Sequence, residues 1–325
     1  MTPADSPNSN LTATVAEVGE FAMIDRMSKG HAQPESTLIG PGDDAALVRA
    51  AEGRVVVSTD MLVQGRHFRF DWSSPRDVGR KAMAQNAADI AAMGAWPTAF
   101  LVSVGLPPDT PAELADGLAA GVWEAAEELG AGVVGGDLVQ AGEVVISVSA
   151  IGDLNGATPI RRSGSRPGDI VAVAGILGRS AGGLALLLAG SSDFPELIAA
   201  HRVPTPPYQA ARAAAAAGAH SMTDISDGLL ADLGHICDRS GVGMSLARAN
   251  LTVGDDIVAA AAAIGADHWD WVLTGGEDHC FAATFPAGEA LPEGWTEIGT
   301  VDDGSGVRVD GATWPGAGGW QSFSV

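Results

Sequence analysis

Oxygen ligands dominate the positions of this chain that could do chemistry. Carboxylates recur beside glycines or after β-forming runs, in Gly42-Asp43-Asp44, Ser58-Thr59-Asp60, Gly135-Gly136-Asp137 and Thr223-Asp224-Ile225-Ser226-Asp227-Gly228. Another, Asp89, interrupts the apolar run Ala87-Ala88-Asp89-Ile90-Ala91-Ala92 one helical turn after Asn86. Hydroxyl and carboxylate oxygens suit a hard cation such as Mg²⁺, and carboxylates that converge need cations before they can hold a phosphate. Taken singly, Gly-Asp-Asp is better explained as a turn, where Asp bonds nearby backbone, and Gly-Gly-Asp could equally be an ordinary tight turn in which glycine relieves sterics. Asp89 is balanced between a metal ligand and a partnered core carboxylate, because a buried charge must be compensated. The alternating Asp, Ser and Asp at 224–227 supply more oxygens than one helix cap uses, and the amides of the following helix suit a phosphate.

The lysines sharpen this reading. Only Lys29 and Lys81 are present, and neither lies in a Gly-x-x-x-x-Gly-Lys-Ser/Thr loop or a protein-kinase signature. A phosphotransferase with this composition must neutralise phosphate mainly with metal ions, helped by arginines such as Arg162.

The elements that position these groups follow from pattern. Thr14 and Glu17 form a capping box predicting a helix through Val15, Val18, Phe21 and Ile24, after a polar segment that ends near residue 13. Strands are predicted at 54–59, 99–104 and 143–148, with Ser58-Thr59-Asp60 at a strand end and Gly135-Gly136-Asp137 in a turn after a short strand at 132–134. Helices run from Ser74-Pro75 to Gly94 and from Pro111 to Gly130, each with proline at its start and glycine at its stop. The polar stretch Arg161–Asp169 divides the chain into an N-terminal domain, 1–160, and a C-terminal domain, 161–325. Beyond it, strands are expected at 170–174, 280–285 and 295–301. Helices are expected at 181–189, 209–217 and 228–240, the last capped by Ser226 or Asp227. Asp302-Asp303-Gly304-Ser305 reads as a hairpin turn.

Composition excludes several classes. With 325 residues, 46% hydrophobic and 18% charged, the chain is a globular protein of two-domain size. Its 40 acidic against 18 basic residues, a net charge of −22, argue against a nucleic-acid partner. Two distant cysteines, Cys237 and Cys280, support neither a disulfide framework nor a structural zinc site. No apolar run reaches membrane-spanning length and the N-terminus lacks a signal-peptide pattern, so a cytoplasmic protein with no membrane partner is expected.

Read together, the acidic motifs, Ser58–Phe68, Asn86–Ala95, Arg162-Ser163-Gly164 and Gly275-Gly276-Glu277-Asp278 resemble, in order and spacing, the thiamine-monophosphate kinase family of the aminoimidazole-ribonucleotide-synthetase-like superfamily. The resemblance covers nearly the whole chain. It implies a two-domain α/β (α+β) protein whose N-terminal domains pair in a homodimer to form a β-barrel-like core. The implied activity is Mg-dependent in-line transfer of the ATP γ-phosphoryl group to thiamine monophosphate, giving thiamine diphosphate and ADP. Carried over by motif, Asp43, Ser58, Thr59, Asp60, Asp89, Asp137, Asp224 and Asp227 correspond to the shell of several Mg²⁺ ions, with Asp44 a neighbour; Asp60, Asp137 and Asp227 are the catalytic candidates. Gly136, Asp137, Arg162 and Ser226 correspond to ATP contacts, and His67, Glu277 and Trp320 to acceptor contacts. An indole such as that of Trp320 suits a flat cationic ring. The sequence departs from the family pattern at Leu138, where a hydroxyl residue is common, at His279, where Tyr is common, and at Ser322, where His is frequent.

Other readings are weaker. A selenophosphate synthetase would need a reactive Cys or selenocysteine with a Lys near the N-terminus, and a hydrogenase-maturation dehydratase a terminal Cys, whereas this chain ends Phe323-Ser324-Val325. The enzymatic alternative is an aminoimidazole-ribonucleotide-synthetase-like, ATP-dependent cyclo-ligase. From another class, a non-catalytic acidic protein could bind divalent cations at Asp302–Ser305, but that segment lacks an EF-hand ligand series.

Overall fold

The structure is a computed structural model, and it describes residues 13–41, 45–315 and 319. Its elements, in order, are α1 (Val15–Val18), α2 (Glu20–Ser28), β1 (Thr37–Ile39), β2 (Leu47–Val48), β3 (Val56–Val63), α3 (Pro75–Ala92), β4 (Trp96–Leu106), α4 (Ala112–Leu129), β5 (Gly132–Gln140), β6 (Val145–Asp153), β7 (Ile170–Ala174), α5 (Arg179–Leu188), α6 (Pro195–Arg202), α7 (Tyr208–Ala216), β8 (Ser221–Ile225), α8 (Leu229–Ser240), β9 (Gly243–Leu246), a 3₁₀ turn at Arg248–Asn250, α9 (Asp255–Ile264), α10 (His268–Thr274), β10 (Cys280–Phe285), β11 (Trp295–Asp302) and β12 (Gly306–Val309). Among the described residues no helix is long and apolar enough to cross a membrane.

Two compact units result. The first comprises residues 1–49, 59–83 and 98–150; the second comprises 50–58, 84–97 and 151–325, so it draws two segments from the N-terminal half. The first unit is built on a four-stranded sheet in the order β3-β6-β4-β5, in which β4 and β5 are parallel and joined by α4. Helix α4 buries Leu118, Val122, Trp123 and Leu129 and stops at Gly130 in the left-handed conformation, as a helix ending in glycine should.

The second unit holds a six-stranded sheet in the order β12-β9-β11-β7-β10-β8. Strand β7, Ile-Val-Ala-Val-Ala, shows why both faces are covered: Val171 and Val173 join one core with Leu186, Leu197, Leu233 and Ile298, while Ala172 and Ala174 join another with Ala210, Phe281 and Trp295. Side chains alternate across a strand, so a continuous apolar run feeds two cores.

Several expectations are corrected. The Thr14 capping box forms, but the helix it opens ends at Val18, because Gly19 adopts φ 82° and α2 restarts beyond it. Strand β3 continues to Val63, which puts Ser58, Thr59 and Asp60 in its interior and not at its end. Strand β5 runs through Gly135-Gly136-Asp137, because β4 accepts those residues in parallel register, Val102 opposite Gly136 and Ser103 opposite Asp137. Asp302–Ser305 is no hairpin: β11 and β12 flank β9 on opposite sides, and the segment crosses the end of β9. The helix after Asp227 takes its cap from within. Gly228 occupies the cap position without a side-chain bond, and Asp232 Oδ2 accepts from the Asp227 and Gly228 amides at 3.0 and 3.1 Å.

Candidate active site

In the second unit, Ser58, Asp89, Arg161, Arg162, Thr223 and Asp224 line one cavity of about 400 Å³. Ser58 reaches it from β3 and Asp89 from α3, where the neighbouring Ala87, Ala88 and Ile90 are buried. The Ser58 hydroxyl donates to Asp89 Oδ2 at 2.6 Å, a charge-assisted bond that holds two oxygens side by side. Arg162 Nε donates to Thr223 Oγ1 at 3.2 Å, which anchors the guanidinium beside the strand carrying Asp224. Carboxylates and arginines lining one cavity can hold a phosphate and its counter-cation together.

The turn after β8 is pinned to the start of β10. Ser226 carbonyl accepts from the Glu277 amide at 2.8 Å, and Ile225 carbonyl accepts from the His279 amide at 2.9 Å. His279 Nδ1 lies 3.1 Å from Asp224 Oδ2, with both side chains buried. Glu277 and His279 adopt φ 64° and 50°, backbone that non-glycine residues seldom accept and that the surrounding bonds must maintain. Close approach also requires Gly276, where a Cβ would sit 2.5 Å from the Ser226 carbonyl oxygen. The fold thereby brings Asp224, Ser226, Asp227 and Glu277 into one neighbourhood.

Beneath Glu277 lies a buried polar layer that sequence reasoning missed. Asp278 accepts from the Gly178 and Ser180 amides at 2.6 and 2.7 Å. Burial pushes its carboxyl up to about 6, against the lowering effect of those two bonds. His201 Nδ1 sits 3.1 Å from Ser180 Oγ and 3.6 Å from Glu277 Oε2. Asp232 was missed too; burial, with the charge of Asp224 next, pushes its carboxyl up to about 7. Its signal was available, a carboxylate between Leu230 and Leu233 on an otherwise apolar helix face.

In the first unit the residues are more dispersed. Asp60 lies on β3 and Asp137 on β5, with β6 and β4 between them, so three strand spacings, about 14 Å, separate their backbones. Thr59 Oγ1 donates to the Val148 carbonyl at 3.0 Å and accepts from Ser149 Oγ at 3.1 Å. Gly136 and Asp137 border a cavity of about 120 Å³ lined mainly by apolar groups such as Leu118, Val122 and Ile146. His67 Nδ1 accepts from the Val63 amide at 3.0 Å, and the buried Lys81 donates to the His67 carbonyl at 3.1 Å. Asp43, Asp44, Trp320 and Ser322 lie outside the described residues.

Comparison with known proteins gives this arrangement its class. Residues 42–154 match the AIR synthase related protein N-terminal domain and residues 166–311 the corresponding C-terminal domain. The chain is therefore a two-domain, mixed α/β protein of the AIR-synthase-related class. It is 56% identical over 325 residues to a thiamine-monophosphate kinase of Mycobacterium tuberculosis (strain ATCC 25618 / H37Rv), covering 99% of this chain and 97% of the relative. The solved thiamine-monophosphate kinase of Stenotrophomonas maltophilia K279a is 31% identical, with a TM-score of 0.78 over 89% of this chain and 95% of that one. AaThiL complexed with AMPPCP and TMP is 32% identical, with a TM-score of 0.78 over 96% and 99%. This chain belongs to the thiamine-monophosphate kinase family.

Proposed function

We infer that the chain transfers the γ-phosphoryl group of ATP to thiamine monophosphate, giving thiamine diphosphate and ADP. Membership of the family carries the reading, and the second unit's cavity, lined by Ser58, Asp89, Arg162 and Asp224, supports it. An oxygen of the acceptor phosphate forms the new bond to the γ-phosphorus as the bond to the β,γ-bridging oxygen breaks, and ADP departs. No residue of the chain is covalently modified. A phosphate monoester with a second pKa near about 6 is already mostly dianionic at neutral pH, so the acceptor needs no strong general base.

The difficulty is bringing two anions together, and the donor set answers it. Ser58, Thr59, Asp60, Asp89, Asp137, Asp224 and Asp227 offer only oxygens, which fits Mg²⁺ and not a soft metal. Asp43 completes this set by motif. Magnesium, when bound, would screen the phosphate charges and fix the oxygens in line. Arg162, steadied by Thr223, binds phosphate oxygens, while Gly136 and Ser226 complete the ATP contacts. Glu277, His67 and Trp320 hold the acceptor. We assign the chain to a homodimer as well: Met61, Leu101 and Val139 expose apolar side chains from β3, β4 and β5, a sheet surface suited to pairing with a second copy.

The test is direct. The protein is incubated with Mg-ATP and, separately, with thiamine, thiamine monophosphate and aminoimidazole precursors, and products are identified by mass. Thiamine diphosphate should form from thiamine monophosphate alone. A cyclised ribonucleotide, or no thiamine diphosphate, overturns the assignment.

A further inference from the structure

Helix α8 carries two side chains that the phosphotransfer reading does not use. Asp232 and His235 are three residues apart, hence on one side of the helix, and Asp227 lies just before its start. One ligand atom from each of Asp227, Asp232 and His235 lies within 4.8 Å of the other two. Asp232 is 1% exposed, and its two oxygens differ. Oδ2 accepts from the Asp227 and Gly228 amides, whereas Oδ1 is buried and, among the described residues, has no hydrogen-bond partner. A buried carboxylate oxygen left in this way costs about 1–3 kcal/mol or more, which points to a ligand that the site is built to take.

We propose that Asp227, Asp232 and His235 form a binding site for one divalent first-row transition ion, such as Mn²⁺ or Co²⁺, that fills without nucleotide. Two carboxylates and an imidazole are a mixed oxygen and nitrogen set, which favours a borderline ion over Mg²⁺. Two carboxylate charges outweigh the half-charge of opposite preference at the helix N-terminus. An ion taken by the Asp232 carboxylate would offset the cost of its unpartnered buried oxygen. Through Oδ2 it would also tie the metal to the backbone of the Asp227-Gly228 turn. The site shares Asp227 with the proposed magnesium shell but does not depend on the identity of the phosphate acceptor.

Calorimetry on the full-length protein without nucleotide tests this, with Co²⁺, Mn²⁺ and Mg²⁺ titrated separately. The expected result is about one equivalent of Co²⁺ or Mn²⁺ bound at least 10-fold more tightly than Mg²⁺. His235→Ala, a change at an exposed helix position, should weaken Co²⁺ at least 10-fold while leaving Mg-ATP turnover unchanged; Asp232→Asn should weaken it as well. His268→Ala controls for stray imidazole binding and should have no effect. Absence of nucleotide-free Co²⁺ or Mn²⁺ binding, equal affinity in the wild type and His235→Ala, or loss on His268→Ala instead would each overturn the site. Loss of kinase activity alone would bear on the proposed function and not on this site.

Discussion

Gly136→Ala isolates a requirement that the pattern of the chain conceals. Gly136 faces Val102 across the parallel β4–β5 ladder, and a Cβ there would lie 1.9 Å from the Val102 carbonyl oxygen and 2.8 Å from its carbon. A comfortable carbon–oxygen contact is about 3.3 Å, so the strands must part by roughly 1.4 Å locally. That separation forfeits the flanking ladder bonds, about 1 kcal/mol each, on top of an overpacking cost of about 1–3 kcal/mol. The sum is a loss of about 3–5 kcal/mol. Gly135→Ala is the matched control: among the described residues, the only atom near its Cβ is Leu101 Cδ2 at 3.1 Å, the end of a flexible side chain, which can move aside. Its cost should stay within about 1 kcal/mol. Urea denaturation followed by tryptophan fluorescence measures the loss; Trp123, one of the chain's 8 tryptophans, borders the same cavity as Gly136. Equal midpoints and slopes for the two variants would refute the close approach and, with it, the steric reason for glycine at this position.

Further outcomes follow from the same geometry. Asp60→Asn and Asp137→Asn should each lower turnover at least about 100-fold with unchanged circular dichroism; near-wild-type rates in either would remove that residue from the metal set. Lys81→Met strips the His67 carbonyl of its buried donor, a cost of about 1–3 kcal/mol, and should raise KM for thiamine monophosphate more than it lowers kcat; an unchanged KM would separate His67 from the acceptor. Asp278 gives a pH dependence of stability. Its carboxyl is raised to about 6 in the fold from 3.8, so the native state binds the proton more tightly than the unfolded chain does. The stabilisation is then full below about pH 4 and is lost as pH rises through 6, on the order of 3 kcal/mol in total. Asp278→Asn should flatten that slope in urea midpoints measured from pH 4 to 7; a slope equal to the wild type's would exclude Asp278 as its source.

How much of this was legible depended on whether local pattern and tertiary demand agreed. β7 and β10 begin and end where the sequence predicts, because runs buried on both faces are almost continuously apolar and bounded by polar residues, glycine or, after Phe285, proline. β5 could not be read past Val134, since a glycine pair ordinarily weakens a strand and only the approach of β4 makes Gly136 an asset. α6 and α10 are short and carry little signal of their own, so packing and not propensity sets them, whereas the alanines of α9, with Asp255 and Asp256 in its first turn and Gly265 at its end, favour a helix that the pattern reading did not include. The carboxylates were visible as residue types, whereas their partners were not. Nothing in the spacing joins Ser58 to Asp89 across 31 positions or Asp278 to the amides of Gly178 and Ser180 about a hundred positions away.

The departures from the family pattern acquire a physical meaning on the same grounds. At 279 the requirement is a buried polar group within reach of Asp224, and the imidazole meets it at 3.1 Å. A carboxylate with 2% of its surface exposed needs a hydrogen-bond partner of this kind on the side away from any bound cation. His279 is held there by its own amide bond to Ile225, so the backbone pairing of β8 with β10 delivers the side chain to Asp224. Leu138 answers a different demand. It follows Asp137 along β5, so it points to the opposite face, where it is buried beside the apolar cavity that Leu118, Val122 and Ile146 line. A hydroxyl residue there would enter that apolar wall, where only a hydrogen-bond partner could offset its desolvation. The two substitutions thus keep opposite properties, polarity beside the turn that carries Asp224 and apolarity behind the strand that carries Asp137, and each does so at the position where its neighbours demand it.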